Sequence, residues 1–236
     1  MEKFFSCSNL KKSYFQRDIL KGIRMEVDKG KIVGLLGPSG SGKTTLLKII
    51  AGISKCSSGE VLIDGVKPGI ETKSKVSYLP DRNFLYKWMR VKDSIEFFKD
   101  FYKDFDEERC NKLIKFMDLN IKSKITSLPK GELEKLLLTL VFCRKSKLYL
   151  LDEPLSRVDL ITRDKILDII MNNYTVESSI IIATNLVENT ERVFDQVFFI
   201  DKGKIILSGN VEDLKMKKGK SIADIYRELF NNEKSY

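Results

Sequence analysis

Eight consecutive residues, Gly37-Pro38-Ser39-Gly40-Ser41-Gly42-Lys43-Thr44, fit the pattern G-x-x-x-x-G-K-[ST] in full, and Thr45 follows on the same turn. Glycines at this spacing let successive backbone N–H groups turn inward. A helix starting behind them adds the positive end of its dipole, and together they cradle phosphate oxygens. Lys43 then reaches toward terminal phosphates, and Thr44 offers a hydroxyl to Mg²⁺. A second chemical signal closes the run Leu148-Tyr-Leu-Leu-Asp152-Glu153-Pro154. Two carboxylates ending an apolar strand have no packing reason to be there, because buried charge is costly unless it meets a cation. Asp152 suits the shell of the metal ion. Glu153 suits a general base that poises water for in-line attack on phosphorus.

The rest of the composition narrows the chemistry further. The chain has 236 residues, 42% apolar and 32% charged, enough for one core or for one domain carrying an inserted subdomain. Its most apolar stretch, Leu136–Phe142, is far short of the roughly 20 residues that cross a bilayer. The first residues, Met1-Glu-Lys-Phe-Phe-Ser, contain no apolar segment of signal-peptide length, so the expectation is an intracellular chain. Four scattered cysteines, no C-x-x-C pair and no histidine argue against a zinc centre and for reduced thiols. The missing histidine also removes the commonest general base. A net charge of +9 is spread over many lysines and reads as solvated surface. No basic stripe interleaved with aromatics is present, so no nucleic-acid partner is expected.

The elements around the chemical residues follow from patterning. Phe4–Lys12 and Lys21–Val27 look extended, and Lys31–Leu36 is an apolar strand feeding the glycine loop. A helix is expected from Lys43 to Ala51, an Asp-Gly hairpin at Val61–Val66 and a strand at Lys75–Leu79. Between 82 and 146 the pattern turns helical. Asp93 and Glu96 suit a first start, with Ile95, Phe98, Tyr102 and Phe105 on one face. Cys110, Leu113, Ile114 and Met117 fit a second helix, and Leu133–Val141 a third. Leu148–Leu151 and Ser179–Ala183 flank a helix at 163–172, a β-α-β unit that calls for a parallel sheet. Val197–Ile200 and Lys204–Leu207 pair later, and the tail from Val211 reads as helix.

Taken in order, these motifs resemble the ATPase subunits of ATP-binding cassette (ABC) transporters over about residues 3 to 215. The resemblance implies an α/β fold of the P-loop NTPase, ABC ATPase type: a mixed central sheet, an N-terminal antiparallel β subdomain and an inserted helical subdomain. It divides the chain into an ATP-binding core (1–81 and 147–215), a helical subdomain (82–146) and a C-terminal helical extension (216–236). It adds Tyr14 as the aromatic that stacks on adenine, and Asp159, at the end of Ser156-Arg-Val-Asp, as the D-loop acid. Three positions depart from the family's usual pattern. The signature Leu-Ser-Gly-Gly-Gln reads Leu128-Pro129-Lys130-Gly131-Glu132, which loses a hydroxyl and an N–H aimed at a partner cassette's γ-phosphate. The Q-loop position holds Asp81, a shorter oxygen ligand for Mg²⁺. The switch position holds Asn185 where histidine is usual, an amide without charge.

The implied cofactors are ATP and Mg²⁺, with Glu153, Asn185 and Asp81 in the reaction and Thr44, Asp81 and Asp152 at the metal. The implied partners are transmembrane permease subunits and a second cassette, as homodimer or heterodimer. The chain would then sit in the cytoplasm, peripheral to the inner face of the cell membrane, driving export at a slow rate of hydrolysis. Phe84, Tyr86 and Trp88 are anchors for a membrane subunit or else pack inside the helical subdomain. Two other functions fit the same residues: a module that uses ATP only to dimerise, and a non-transport ABC ATPase acting on nucleic acid.

Overall fold

A computed structural model describes residues 3–173, 175–188 and 190–231. In chain order its strands are β1 (Lys3–Tyr14), β2 (Arg17–Asp28), β3 (Ile32–Leu36), β4 (Ser58–Ile63), β5 (Val76–Leu79), β6 (Leu148–Asp152), β7 (Ser179–Thr184), β8 (Gln196–Asp201) and β9 (Lys204–Asn210). Its helices are α1 (Lys43–Ile50), α2 (Ile70–Lys73), α3 (Val91–Phe101), α4 (Glu107–Phe116), α5 (Lys130–Phe142), α6 (Leu160–Asn173), α7 (Val211–Lys218) and α8 (Ile222–Asn231).

Two sheets result. One is a six-stranded mixed sheet in the order β5-β6-β7-β3-β8-β9, parallel except for β9; the other is the three-stranded antiparallel sheet β2-β1-β4. Every residue of β3, β6 and β7 is buried, as strands covered on both faces must be. Side chains alternate between the faces, so the large sheet feeds two cores. Val33, Leu35, Leu150, Ile181 and Ala183 join α1 and the antiparallel sheet. Leu36, Leu151, Ile180 and Ile182 join α5, α6 and α8.

The expected α/β architecture is present, with local boundaries moved by capping. The helix expected to start near Asp93 starts at Val91, because the Asp93 carboxylate accepts the Arg90 N–H at 2.8 Å from the third position of the helix. It ends at Phe101, so Tyr102 and Phe105 lie beyond it, though both still pack on the core. The Asp-Gly hairpin turn at Val61–Val66 forms, Ile63 and Val66 exchanging backbone hydrogen bonds at 2.8 and 3.0 Å, but it pairs no further. Asp64 and Gly65 adopt positive φ, a single bridge joins Ile63 to Val66, and β4 pairs with β1 instead. The helix expected at 163–172 begins at Leu160, since Asp159 accepts the Thr162 N–H at 3.0 Å. The tail holds two helices separated at Gly219, and residues 232–236 of the expected extension lie outside the described residues, as do 1 and 2. Among the described residues no helix is long and apolar enough to cross a membrane.

Candidate functional site

Four parallel strands deliver their carboxyl ends to one edge of the large sheet. Leu36 lies opposite Thr184, Asp152 opposite Ala183, and Leu79 opposite Leu151. The loop after β3, the carboxylates after β6, Asp81 after β5 and Asn185 after β7 therefore converge, where ligands bind in open α/β sheets.

The glycine loop leaves β3 at Gly37. A Cβ there would meet the Ile200 carbonyl at 2.2 Å, so the position admits no side chain. Gly42, with φ +112°, turns the chain into α1. The loop is braced from outside by the β8–β9 turn, where Gly203 N–H donates to the Ser41 carbonyl at 3.0 Å. Inside it, Lys43 is buried, only 5% exposed. It donates to the carbonyls of Gly37 at 2.7 Å and Pro38 at 3.1 Å and pairs with Glu153 Oε1 at 3.2 Å. Among the described residues the buried Ser41 hydroxyl has no hydrogen-bond partner, an unmet donor inside the loop.

The carboxylates are held as firmly. Thr44 Oγ1 donates to Asp152 Oδ1 at 3.0 Å and Tyr78 Oη donates to Asp152 Oδ2 at 3.3 Å. Burial pushes Asp152 up to about 6, against the lowering by the Thr44 hydroxyl, and the neighbouring charge of Asp81 adds to the rise. Glu153 has φ +52°, uncommon for a side chain with a Cβ. Its conformation is fixed at both ends: its N–H donates to the Ala183 carbonyl at 2.8 Å, and Oε2 accepts from Thr184 Oγ1 at 3.1 Å and the Asn185 N–H at 3.3 Å. Strained backbone held by many contacts is characteristic of working residues.

Beside this network runs an open groove of roughly 410 Å³, walled by Ser39, Gly40, Thr44, Thr45, Asp81 and Glu153, with Arg17 and Ile19 on the far side. The loop's inward donors, a buried ammonium and the oxygens of Thr44, Asp81 and Asp152 fit a polyphosphate and its divalent cation. Among the described residues no cluster of three or more Asp, Glu, Cys or His could hold a metal alone. Mg²⁺ would take its remaining ligands from phosphate and water, as it usually does.

Other expected residues stand elsewhere. Tyr14 ends β1 half-exposed, with the Lys12 ammonium 4.5 Å from its ring centre and its hydroxyl 3.4 Å from Ser54 Oγ; Arg17 and Ile19 wall the groove in its place. Pro129 caps the start of α5, and neither it nor Lys130, Gly131 or Glu132 lines the groove. Asp159 caps α6, and its hydrogen bonds from Thr162 hold its carboxyl below the usual range. Asn185 lines a separate cavity toward α8. Trp88 and Tyr86 are 71% and 57% exposed and stack with centres 6.1 Å apart, so they do not pack inside the helices.

Sequence reasoning missed Arg17, Ile19, Tyr78 and Thr184. Tyr78 alone carried a signal, a phenol in a short strand that ends two residues before Asp81.

Comparison with known proteins agrees with this geometry. The family model described as "ABC transporter" matches residues 20–156. The ABC transporter ATP-binding protein YtrB of Bacillus subtilis is 31% identical over 87% of this chain and 72% of its own length. The lantibiotic transport ATP-binding protein SrtF of Streptococcus pyogenes is 29% identical over 95% of both chains. The solved structure of an ATP-binding subunit of an ABC transporter superposes with a TM-score of 0.87 at 24% identity, covering 96% of this chain and 99% of that one.

Proposed function

This chain belongs to the ABC transporter family as an ATP-binding subunit and ATPase, and we propose that it binds Mg-ATP, hydrolyses it slowly and drives separate transmembrane permease subunits in export. The observation that carries this reading is the pairing of Lys43 with Glu153 at 3.2 Å beside the Thr44–Asp152 bond at 3.0 Å. These pairs support reading Lys43 as a phosphate-seeking cation, Thr44 and Asp152 as a hard oxygen pair and Glu153 as a base beside one groove.

An arriving γ-phosphate competes with Glu153 and the loop carbonyls for the Lys43 ammonium. Its binding would release the Glu153 carboxylate from that pair while Thr184 and the Asn185 N–H keep it aimed. Glu153 then accepts a proton from the water that attacks phosphorus in line, and ADP oxygen leaves. Thr44, Asp152 and Asp81 would hold Mg²⁺, which supplies charge neutralisation on the phosphates when bound. The loop residues 37–45 hold the phosphates, and the adenine lies against the β1–β2 hairpin, where Tyr14, Arg17 and Ile19 stand.

Slow turnover follows from the side chains that replace the family's usual ones. Losing one well-placed transition-state donor costs roughly 10²–10³ in rate. Asn185 and Pro129 each remove such a group, and the effects need not multiply because both act on the same phosphate. Subunits of this family dimerise and work with transmembrane components. Here Pro129, Lys130, Gly131 and Glu132, with Asp159, would face a second cassette, identical or not. Residues 82–146 would carry the membrane-subunit contact. Phe84, with Phe97, Phe98 and Tyr102, lines an apolar groove of roughly 510 Å³, with Tyr86 and Trp88 close by in sequence. The export direction rests on the lantibiotic transport named for SrtF. No nucleic-acid partner is expected, and the subunit would sit at the cytoplasmic face of the membrane.

The test is phosphate release by the purified chain and its Glu153→Gln variant. The reading expects a loss of about 10²-fold or more with Mg-ATP still bound. Equal rates in the two proteins remove Glu153 from the reaction.

A further inference from the structure

On the helical block, aromatic rings run in an unbroken strip. Trp88 stacks on Tyr86 with ring centres 6.1 Å apart, Tyr86 meets Phe97 edge-on at 6.3 Å, and Phe97 lies 4.5 Å from Phe101. Trp88, Tyr86 and Phe101 are each more than half exposed. A contiguous apolar surface of this kind marks a contact with something outside the chain. Local hydrogen bonds hold the strip in place. Asn83 Oδ1 accepts the Leu85 N–H at 2.8 Å, and the Met89 N–H donates to the Tyr86 carbonyl at 3.1 Å. That turn buries Leu85 and Met89 and leaves Tyr86, Lys87 and Trp88 outside.

The same segment is basic. Residues 82–92 carry Arg82, Lys87, Arg90 and Lys92, all exposed, and no carboxylate. They are tied to a second basic stretch. The Arg90 guanidinium donates to the Lys122 carbonyl at 2.6 Å, a bridge pairs Arg90 with Lys124, and Lys122 and Lys124 are both exposed. The opposing charges on α3 are Asp93, Glu96 and Asp100, and Asp93 already accepts the Arg90 N–H. Six cations against three carboxylates leave this region positive. Interfaces between proteins keep charge out of their aromatic centre, yet here Lys87 stands in sequence between Tyr86 and Trp88. That combination suits a bilayer interface, where tyrosine and tryptophan rings sit at headgroup depth and lysine stems carry their ammonium groups to the phosphates.

We propose that this region binds the surface of an anionic lipid bilayer directly, with Tyr86 and Trp88 at headgroup depth and Lys87, Arg90, Lys92 and Lys122 on lipid phosphates. Rings alone would suit a protein groove and cations alone a solvated surface; the two together select an anionic interface. The apolar groove lined by Phe84, Phe98 and Tyr102 adjoins the strip through Phe97, which belongs to both. A membrane subunit seated in that groove and the lipid beside it would thus be met by neighbouring parts of one surface. The inference goes beyond the reading of the nucleotide site and needs none of its residues.

The test mixes the full chain with vesicles of phosphatidylcholine, with and without an equal share of phosphatidylglycerol. Trp88 is the only tryptophan, so its emission reports this region alone. Vesicles with phosphatidylglycerol should sediment the chain and shift Trp88 emission to the blue, both effects fading as salt rises; pure phosphatidylcholine should bind far less. Lys87→Glu reverses one charge and should weaken sedimentation about 10-fold, and Trp88→Ala should weaken it by a similar factor. Both side chains are exposed, so thermal midpoints should stay at the wild-type value. Lys217→Glu with Lys218→Glu, in the basic last turn of α7, should change sedimentation less than about two-fold. No binding to anionic vesicles overturns the proposal. So does binding with unshifted Trp88 emission, or binding that keeps full strength in Lys87→Glu and Trp88→Ala, which would leave the strip to a protein partner. Calorimetric Mg-ATP uptake by the same preparation keeps the failures apart: uptake without vesicle binding loses the lipid contact alone, and vesicle binding without uptake loses the nucleotide reading alone.

Discussion

At the carboxyl edge of the large sheet, Lys43, Thr44, Asp152, Glu153 and Thr184 are bonded to one another at 3.0–3.2 Å. The start of α5 is built otherwise. Pro129 and Lys130 are exposed, and no hydrogen bond joins the side chain of Lys130 or Glu132 to another residue among those described. The first region is organised before any ligand arrives, its donors and carboxylates fixed by the chain that carries them. The second offers a helix start and an ammonium to whatever docks there. The difference teaches where chemistry and assembly divide: the phosphate-facing groups are fixed within one chain, while the start of α5 stays open for the second cassette proposed above.

Four substitutions sharpen or break this contrast. Lys43→Ala removes the cation from the organised region and leaves Glu153 without its partner; Mg-ATP affinity measured by calorimetry should fall about 100-fold, near 3 kcal/mol. Asn185→His restores a chargeable donor to the same region, and turnover should rise about 10-fold if that position limits the rate; an unchanged rate places the limit elsewhere. Gly37→Ala forces a Cβ against the Ile200 carbonyl, 2.2 Å away, and should cost about 1–3 kcal/mol in urea unfolding. Pro129→Ser acts only on the open region. It should leave nucleotide affinity of the isolated chain unchanged and raise turnover at most a few-fold, about 1 kcal/mol, and only at protein concentrations where chains pair. A change in monomer affinity from Pro129→Ser would mean that the two regions are not separate.

Much of the organised region was legible because its chemistry is local in sequence. Gly37–Thr44 is one uninterrupted run, and Asp152-Glu153 ends a strand whose apolar residues left no other use for two carboxylates. The β-α-β order told that those ends would share an edge. What stayed hidden were residues brought in by tertiary folding. Thr184 is one more polar residue after an apolar strand until its hydroxyl meets Glu153. Arg17 and Ile19 reach the groove because β2 lies against the β8–β9 turn, a contact no periodicity announces. Tyr14 carried the expectation of adenine stacking from the family pattern alone; its ring is half-exposed, with the Lys12 ammonium 4.5 Å from its centre. Helix starts shifted for a simpler reason: Asp93 and Asp159 act as caps from inside or just before the first turn, so the helices begin two or three residues earlier than their apolar periodicity.

A calorimetric titration of the wild-type chain and its Glu153→Gln variant with Mg-ATP, followed by assay of released phosphate, tests the account at its centre. Both proteins should take up nucleotide with similar affinity and only the wild type should release phosphate. Absence of binding heat in both, or phosphate release from both, would contradict it.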